Sequence, residues 1–295
     1  MEFSLHLSEN IFNLHTNLKT KTYIHGGYHA FKISDPKPRD IHKATVMDRL
    51  LHHAIYRKLY PFFDTKFIHD SYSCRKWKGT HRALDRFTDF GRKVSRNNTK
   101  TCWILKCDVR KFFASIDQNI LTDILRFHNL DNDTIWLLQT VISSFSSIEI
   151  GKGLPLGNLT SQLLVNVYMN EFDQYVKHRL KATYYIRYAD DFVVMSRDKI
   201  ELQDMLTQVR FFLKDNLKLE LHPSKMSITT IASGVDFLGL VHFPHHRVLR
   251  TMTKKRMFQN LRDNPKPETI QSYLGMLRWG NGYKIQETVT SMIVV

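Results

Sequence analysis

Apolar positions recur along this chain with two periods. In VMDRLLHHAIYRKLY (Val46 to Tyr60), GTHRALDRFTDFGRKV (Gly79 to Val94) and LQDMLTQVRFFLKDNL (Leu202 to Leu217) they return every three or four residues, which predicts amphipathic helices. Residues 119 to 146 are predicted helical, and a further apolar helix is predicted from about Leu159 to Arg179, after the glycine-containing loop GKGLPLGN. The strand signals are shorter. CWILKCDVRKFFASID holds a buried-type apolar run that delivers Asp108 and then turns into a helix. YYIRYADDFVVMS (Tyr184 to Ser196) has aromatic and β-branched flanks around Ala189-Asp190-Asp191, predicting strand, tight turn and strand. MSITTIASGVDFLGLVHF predicts two short strands, and the last fifty residues are basic and helix-prone. Strands alternating with helices, plus one antiparallel hairpin, predict an α+β fold.

Composition narrows the function classes. The 295 residues are 42% hydrophobic and 12% aromatic, enough for a large core in one large domain or two small ones. Lys and Arg number 43 against 28 acidic residues, a formal charge of +15, which favours a polyanionic partner, above all nucleic acid. No apolar run approaches membrane-spanning length and no long basic amphipathic helix stands out, so no membrane partner is expected. MEFSLHLSEN lacks a basic-then-apolar leader pattern, giving a cytoplasmic expectation. Cys74, Cys102 and Cys107 show no CxxC spacing, against a disulfide frame or structural zinc. The fifteen histidines, His52-His53 and His245-His246 among them, read as surface or RNA-facing groups.

Asp190 and Asp191 by themselves fit an ordinary solvated turn, because a short carboxylate can bond nearby backbone. Asp108, at the end of its own strand-like run, changes the picture. Three carboxylates on neighbouring strand ends can hold divalent ions against a phosphate, and magnesium takes few protein oxygens, leaving the rest of its octahedron to phosphates and water.

CDVRKFFASID, GLPLGNLTSQLLVNVYMNEFD and YIRYADDFVVMS, in that order, resemble the palm motifs of reverse transcriptases. FKISDPKPRDIHKATVMDRLLHHAI is similar to the family's first fingers motifs, LKLELHPSKMSI to its lysine-bearing motif, and VDFLGLVHF to its primer-grip hairpin. GLPLGNLTSQ, YSCRKWKGTHRAL and SYLGMLRWGNGYKI more narrowly resemble reverse transcriptases of diversity-generating retroelements, within the retron and group II intron-like superfamily. Most reverse transcriptases have QG and SP where this chain has Leu156-Gly157 and Ser161-Gln162, a departure typical of that subgroup.

The resemblance implies a right-hand polymerase fold with fingers, a palm whose antiparallel sheet carries the carboxylate hairpin, and a small helical thumb. The expected division is 1–100 for the N-terminal region and fingers, 101–118 for the first part of the palm, 119–165 for fingers and palm helices with the motif-B loop, 166–241 for the second part of the palm, and 242–295 for the thumb. Asp108 and Asp190 are the expected ligands of two Mg²⁺ ions, with Mn²⁺ an alternative and Asp191 a weaker ligand. Lys225 resembles the lysine that protonates leaving pyrophosphate.

Lys37 and Arg39 match the positions that grip the incoming triphosphate. Phe113 sits where the family places an aromatic gate against ribose, with Phe112 as core. Leu156, Gly157 and Gln162 lie in the motif that meets the nascent pair, Gly157 letting backbone approach it. Arg75, Lys254, Lys255 and Arg256 are candidate nucleic-acid contacts, the last three in a thumb gripping duplex phosphate together with the Arg278-Trp279 stretch.

The implied partners are template RNA, RNA/cDNA duplex, deoxynucleotides and a small basic accessory protein. The implied activity is RNA-directed DNA synthesis with errors opposite template adenines, because Leu156 lacks glutamine's hydrogen bonds. Too few residues follow the primer-grip hairpin for an RNase H or endonuclease domain, so such steps are expected to come from elsewhere. Two other readings stand beside this one: an ordinary-fidelity reverse transcriptase of a retron or antiphage system, and an inactive RNA-binding scaffold on a polymerase fold.

Overall fold

The computed structural model describes residues 5–34, 38–263 and 266–291. Its centre is a four-stranded antiparallel sheet of β3 (Trp103–Asp108), β4 (Tyr185–Tyr188), β5 (Asp191–Ser196) and β6 (Ser227–Thr230), in the order β4-β5-β3-β6. β3, β4 and β5 are rich in buried residues because both faces of the sheet are covered there, whereas β6 (SITT) is a more polar edge strand. Successive side chains point to opposite faces. Leu105, Cys107, Tyr185, Phe192 and Val194 therefore enter one core, while Ile104, Ile186, Val193 and Met195 enter another.

The first core is closed by α2 (Val46–Asp64), α5 (Gln118–Phe127), α6 (Asn132–Ser143), α7 (Leu159–Gln174) and α8 (Lys199–Leu217). The second is closed by α3 (Thr80–Val94), whose Ala83, Phe87, Phe90 and Val94 share one helical face. α1 (Leu7–Lys19) adds Leu14 to the first core, and a one-turn helix α4 (Phe112–Ser115) follows β3 directly. A separate two-stranded hairpin, β1 (Tyr28–Ile33) with β2 (Arg39–Ala44), precedes α2.

Residues 119–146 are largely helical, divided between two helices. Asn129 takes a left-handed φ of 52°, and the Asp131 carboxylate accepts the Thr134 N–H as a new N-cap, so the chain stops and restarts between α5 and α6. The apolar helix predicted to Arg179 ends as α-helix at Gln174 and continues as a π-helical turn over Tyr175–Arg179.

The segment predicted to hold two short strands holds three: β6 in the central sheet, then β7 (Val235–Phe237) and β8 (Leu240–His242) as a hairpin. β9 (Arg247–Leu249) pairs with β8, so a three-stranded sheet runs across the boundary expected at 241/242. Against it pack α9 (Thr251–Asp263), α10 (Pro267–Leu277) and α11 (Tyr283–Ser291), joined to α3 by a third core of Leu84, Leu240, Leu249, Met257, Leu261, Ile270, Tyr273, Leu277 and Val289.

Not all histidines face outward. His52 and His242 are buried. His52 Nε2 lies 3.1 Å from His25 Nε2, in a cluster where the Tyr23 hydroxyl donates to Asp48. The sequence hides this because His52 falls on the apolar stripe of α2, next to exposed His53.

Candidate active site

The register of the central sheet brings the acidic residues together. Asp108, the last residue of β3, is the cross-strand partner of Asp191, the first residue of β5. Between β4 and β5 only Ala189 and Asp190 turn the chain, since Tyr188 pairs with Asp191. Ala189 has a φ of 55° at the first central position, where glycine is usual in two-residue hairpins. The turn is held from two sides. The Val109 N–H donates to the Asp190 carbonyl at 3.0 Å, and Arg187 Nη1 donates to the Ala189 carbonyl at 3.1 Å.

Arg187 is itself wholly buried and fixed by Asp173 and by Asn166 Oδ1 on α7. Motif and periodicity single out none of these three residues for the site. The one signal for them is an arginine inside the otherwise strand-type YIRY.

The segment after α8 completes the cluster. The Glu220 and Asp108 carbonyls accept from Arg110 and His222 N–H, which lays this stretch beside the end of β3. Lys225 Nζ then donates to Asp108 Oδ1 at 2.8 Å. Lys106, two residues before Asp108 on β3, lies 3.7 Å from Asp191 Oδ2 and donates to the Asp236 carbonyl. Pattern alone passes over Lys106 because an inward lysine in WILKCD looks like any break in an apolar run.

The electrostatics follow from crowding three carboxylates at a buried strand end. Burial, then the neighbouring Asp108 charge, raises the Asp190 pKa above the usual carboxylate range, while Lys225 and Arg39 pull it back. Asp191 is pushed up to about 7, mainly by burial; Asp190 and Asp108 add to this, and Lys106 opposes it. Asp191 Oδ1 is buried and has no hydrogen-bond partner. Such an orphaned anionic oxygen is costly unless a cation meets it.

Among the described residues no three His, Cys, Asp or Glu side chains converge into a ready-made metal cage. The donor set nevertheless fits Mg²⁺ or Mn²⁺, which take hard carboxylate oxygens and draw much of their coordination from substrate phosphates and water.

Other candidates arrange themselves around this cluster. Phe112 is core and Phe113 half-buried, their rings edge to face at 5.6 Å, and the Phe113 carbonyl accepts from Leu154 N–H. The Leu154–Asn158 loop is pinned to β2. His42 N–H donates to the Leu156 carbonyl at 2.9 Å, and Asn158 Nδ2 donates to the His42 carbonyl at 2.7 Å. Gly157 has a φ of +110°, and a Cβ there would sit 2.7 Å from Ile41 Cγ2. The close approach that requires glycine is thus made by β2 of this same chain. Gln162 is half-buried on the first turn of α7. Arg39 is exposed at the start of β2, near enough to Asp190 to act on it, while Lys37 lies outside the described residues. Lys254 and Lys255 are exposed on α9 and Arg256 half-buried beside them. Trp279 stacks on His81 at 3.8 Å.

Arg75, a candidate nucleic-acid contact by sequence, turns its guanidinium into the fold. Its side chain is 5% exposed, and its guanidinium donates to the Asp64 carboxylate at 2.7 Å, to the Ile68 and Ser71 carbonyls and to the Ser71 hydroxyl. Every nitrogen is engaged within the fold, so the group staples the 64–75 segment together.

Comparisons with known proteins bear on the family and the fold. Protein YkfC of Escherichia coli (strain K12) is 26% identical, the match covering 75% of this chain and 66% of YkfC. The group II intron-encoded protein LtrA of Lactococcus lactis subsp. cremoris is 23% identical, over 76% of this chain and 47% of LtrA. The chain thus spans two thirds or less of these relatives. A structure of telomerase from Candida albicans in complex with a telomeric RNA fragment superposes with a TM-score of 0.58 over 92% of this chain and 55% of that one; at 11% identity the likeness concerns the fold, which is the right-hand polymerase fold. Residues 32–242 match the family described as reverse transcriptase (RNA-dependent DNA polymerase), a span that contains Asp108, Asp190, Asp191 and Lys225, and the chain belongs to that family.

Proposed function

We propose that this protein is an RNA-directed DNA polymerase that adds deoxynucleotides at the Asp108, Asp190 and Asp191 cluster. The observation that carries the reading is the β3–β5 register, which sets Asp108 opposite Asp191 with Asp190 in the adjoining turn. Divalent ions bound at such carboxylates supply activation of a primer 3′-hydroxyl and charge neutralisation of the triphosphate. The chain's own residues do the rest. Asp108 and Asp190 are the principal ligands and Asp191 the supporting one. Lys225, already at Asp108, donates a proton to the departing pyrophosphate. Arg39, with Lys37, holds the triphosphate, and Phe113 lies under the sugar and excludes a ribose hydroxyl.

In this reading 1–100 and 119–165 supply fingers and supporting helices, 101–118 and 166–241 the palm, and the helices after β9 a thumb whose Lys254, Lys255 and Arg256 face duplex phosphates. The finer assignment is to a diversity-generating retroelement, whose polymerase miscopies template adenines. Leu156 supports it: an aliphatic side chain stands in a loop hydrogen-bonded to the β1–β2 hairpin, where a glutamine would offer polar contacts. A small basic accessory protein would share the RNA. The second reading, synthesis at ordinary fidelity, is favoured by the match to a group II intron-encoded protein.

Primer extension on a defined RNA with Mg²⁺, followed by sequencing of the product, tests both. Asp190→Asn should lower synthesis by at least about a hundredfold, the scale expected when a metal ligand is lost. Leu156→Gln should reduce errors opposite adenine. An active Asp190→Asn variant removes the assignment of the site, and wild-type product without adenine-directed errors favours the ordinary-fidelity polymerase.

A further inference from the structure

Trp77 adopts a conformation that packing does not account for. Its φ of 60° is left-handed, an outlier for a bulky residue, and it is 83% exposed. The loop that carries it is tightly held. Lys76 N–H donates to the Tyr60 hydroxyl at 2.7 Å, Lys78 N–H to the Arg75 carbonyl, and Gly79 N–H to the Tyr72 carbonyl at 3.0 Å. Asn166 Nδ2 donates to the Ser73 carbonyl at 2.9 Å, and the Arg75 staple closes the base of the loop. Backbone strain of this kind persists only where the surroundings over-determine it, and it concentrates at ligand-binding positions.

The chemistry around the indole points to one ligand class. Lys76 and Lys78 are its chain neighbours, their ammonium groups 5.4 Å and 5.2 Å from the Tyr60 and Tyr72 rings, and Lys78 Nζ also donates to the His69 carbonyl at 2.8 Å. An exposed indole with a lysine on either side of it in sequence, on a chain of charge +15, matches an unpaired base with its phosphates. A duplex hides its base faces, so the fit is to a single strand.

The loop is also tied to the acidic turn. Asn166, which holds Ser73, bonds Arg187 as well, and Arg187 holds the Ala189 carbonyl beside Asp190. The Thr80 and Tyr188 hydroxyls are hydrogen-bonded at 3.1 Å.

We propose that Trp77 is a base-stacking platform for single-stranded RNA, with Lys76 and Lys78 neutralising the adjacent phosphates. Calling that strand the template rests on the polymerase reading; the stacking stands on the loop alone. The test is fluorescence anisotropy of a short labelled single-stranded RNA and of a blunt RNA–DNA duplex, with the full chain and its Trp77→Gly and Trp77→Phe variants. Glycine suits a left-handed φ, so Trp77→Gly should melt no lower than wild type, separating binding from folding.

Trp77→Gly should weaken single-strand binding by about fivefold to a hundredfold, Trp77→Phe should stay within about threefold, and duplex affinity should not change. Wild-type single-strand affinity in Trp77→Gly, or an equal loss for strand and duplex, overturns the proposal. So does unchanged RNA affinity with lost self-association on sedimentation, which assigns the indole to a protein interface. Binding is read without nucleotide addition, so a chain that stacks RNA on Trp77 yet fails primer extension removes only the polymerase reading.

Discussion

Arg187 and Asp173 meet as a wholly buried bidentate ion pair, Nε and Nη2 donating to the two carboxylate oxygens at 2.8 and 2.7 Å. The Tyr185 hydroxyl donates to the same carboxylate. Arg187 spends its remaining nitrogen on Asn166 and on the Ala189 carbonyl, so the pair supports the turn that bears Asp190. Removing one partner strands a buried charge and costs about 3–5 kcal/mol, whereas apolar replacement of both recovers much of that. Asp173→Leu should therefore lower stability in urea unfolding far more than Asp173→Leu combined with Arg187→Met. The double variant should still synthesise DNA poorly, because the Ala189 carbonyl has lost its donor.

Asp191 is held at a cost to stability once it ionises. Its folded pKa, pushed up to about 7, lies above the ordinary carboxylate value, so the folded state holds this proton more tightly than the unfolded chain does. The stability it contributes is full below the unfolded pKa and is lost as pH rises through about 7. Thermal unfolding of Asp191→Asn should therefore occur above wild type at pH 8, with the gap closing toward pH 5. Millimolar Mg²⁺ should raise the melting temperature of wild type more than that of the variant.

The buried histidines act in the opposite sense. Burial lowers His52 to about 4, helped by His25, and lowers His242 to about 4, helped by Arg247. The unfolded chain takes up these protons first, so their contribution is present above the ordinary histidine pKa and fades as pH falls toward 4. Melting temperatures should drop between pH 7 and pH 4.5. His52→Gln should flatten that slope even where it lowers the plateau.

Gly157 should resist replacement for reasons internal to the fold. Alanine there must hold a φ of +110° and bring a Cβ to 2.7 Å from Ile41 Cγ2. A loss on the order of 1–3 kcal/mol is expected in denaturant unfolding. Adding Ile41→Ala should return the steric share and leave the backbone share.

Much of this molecule is legible in one dimension. The helices at Val46, Gly79 and Leu202 carry clean periodicity because each buries one stripe, and the Asp108 and Asp190 strands stand out because both sheet faces are covered. What pattern cannot show depends on who meets whom. Arg75 stands in a segment that offers nucleic-acid contacts and Arg187 in the carboxylate hairpin, and only the three-dimensional partners Asp64 and Asp173 show how both are tied into the fold. The break at Asn129 is hidden for a different reason, since one left-handed residue and an aspartate cap leave apolar periodicity nearly unchanged on either side.

The hydrogen bonds that join His42 and Ala44 to Leu156 and Asn158 tie two stretches more than a hundred positions apart into one rigid piece. Breaking all of them would cost about 1 kcal/mol apiece, so the hairpin and the loop hold each other in place. A substitution that breaks the contact on either side, at His42 or at Asn158, is then felt by the other stretch as lost order, even though the two lie far apart in the chain.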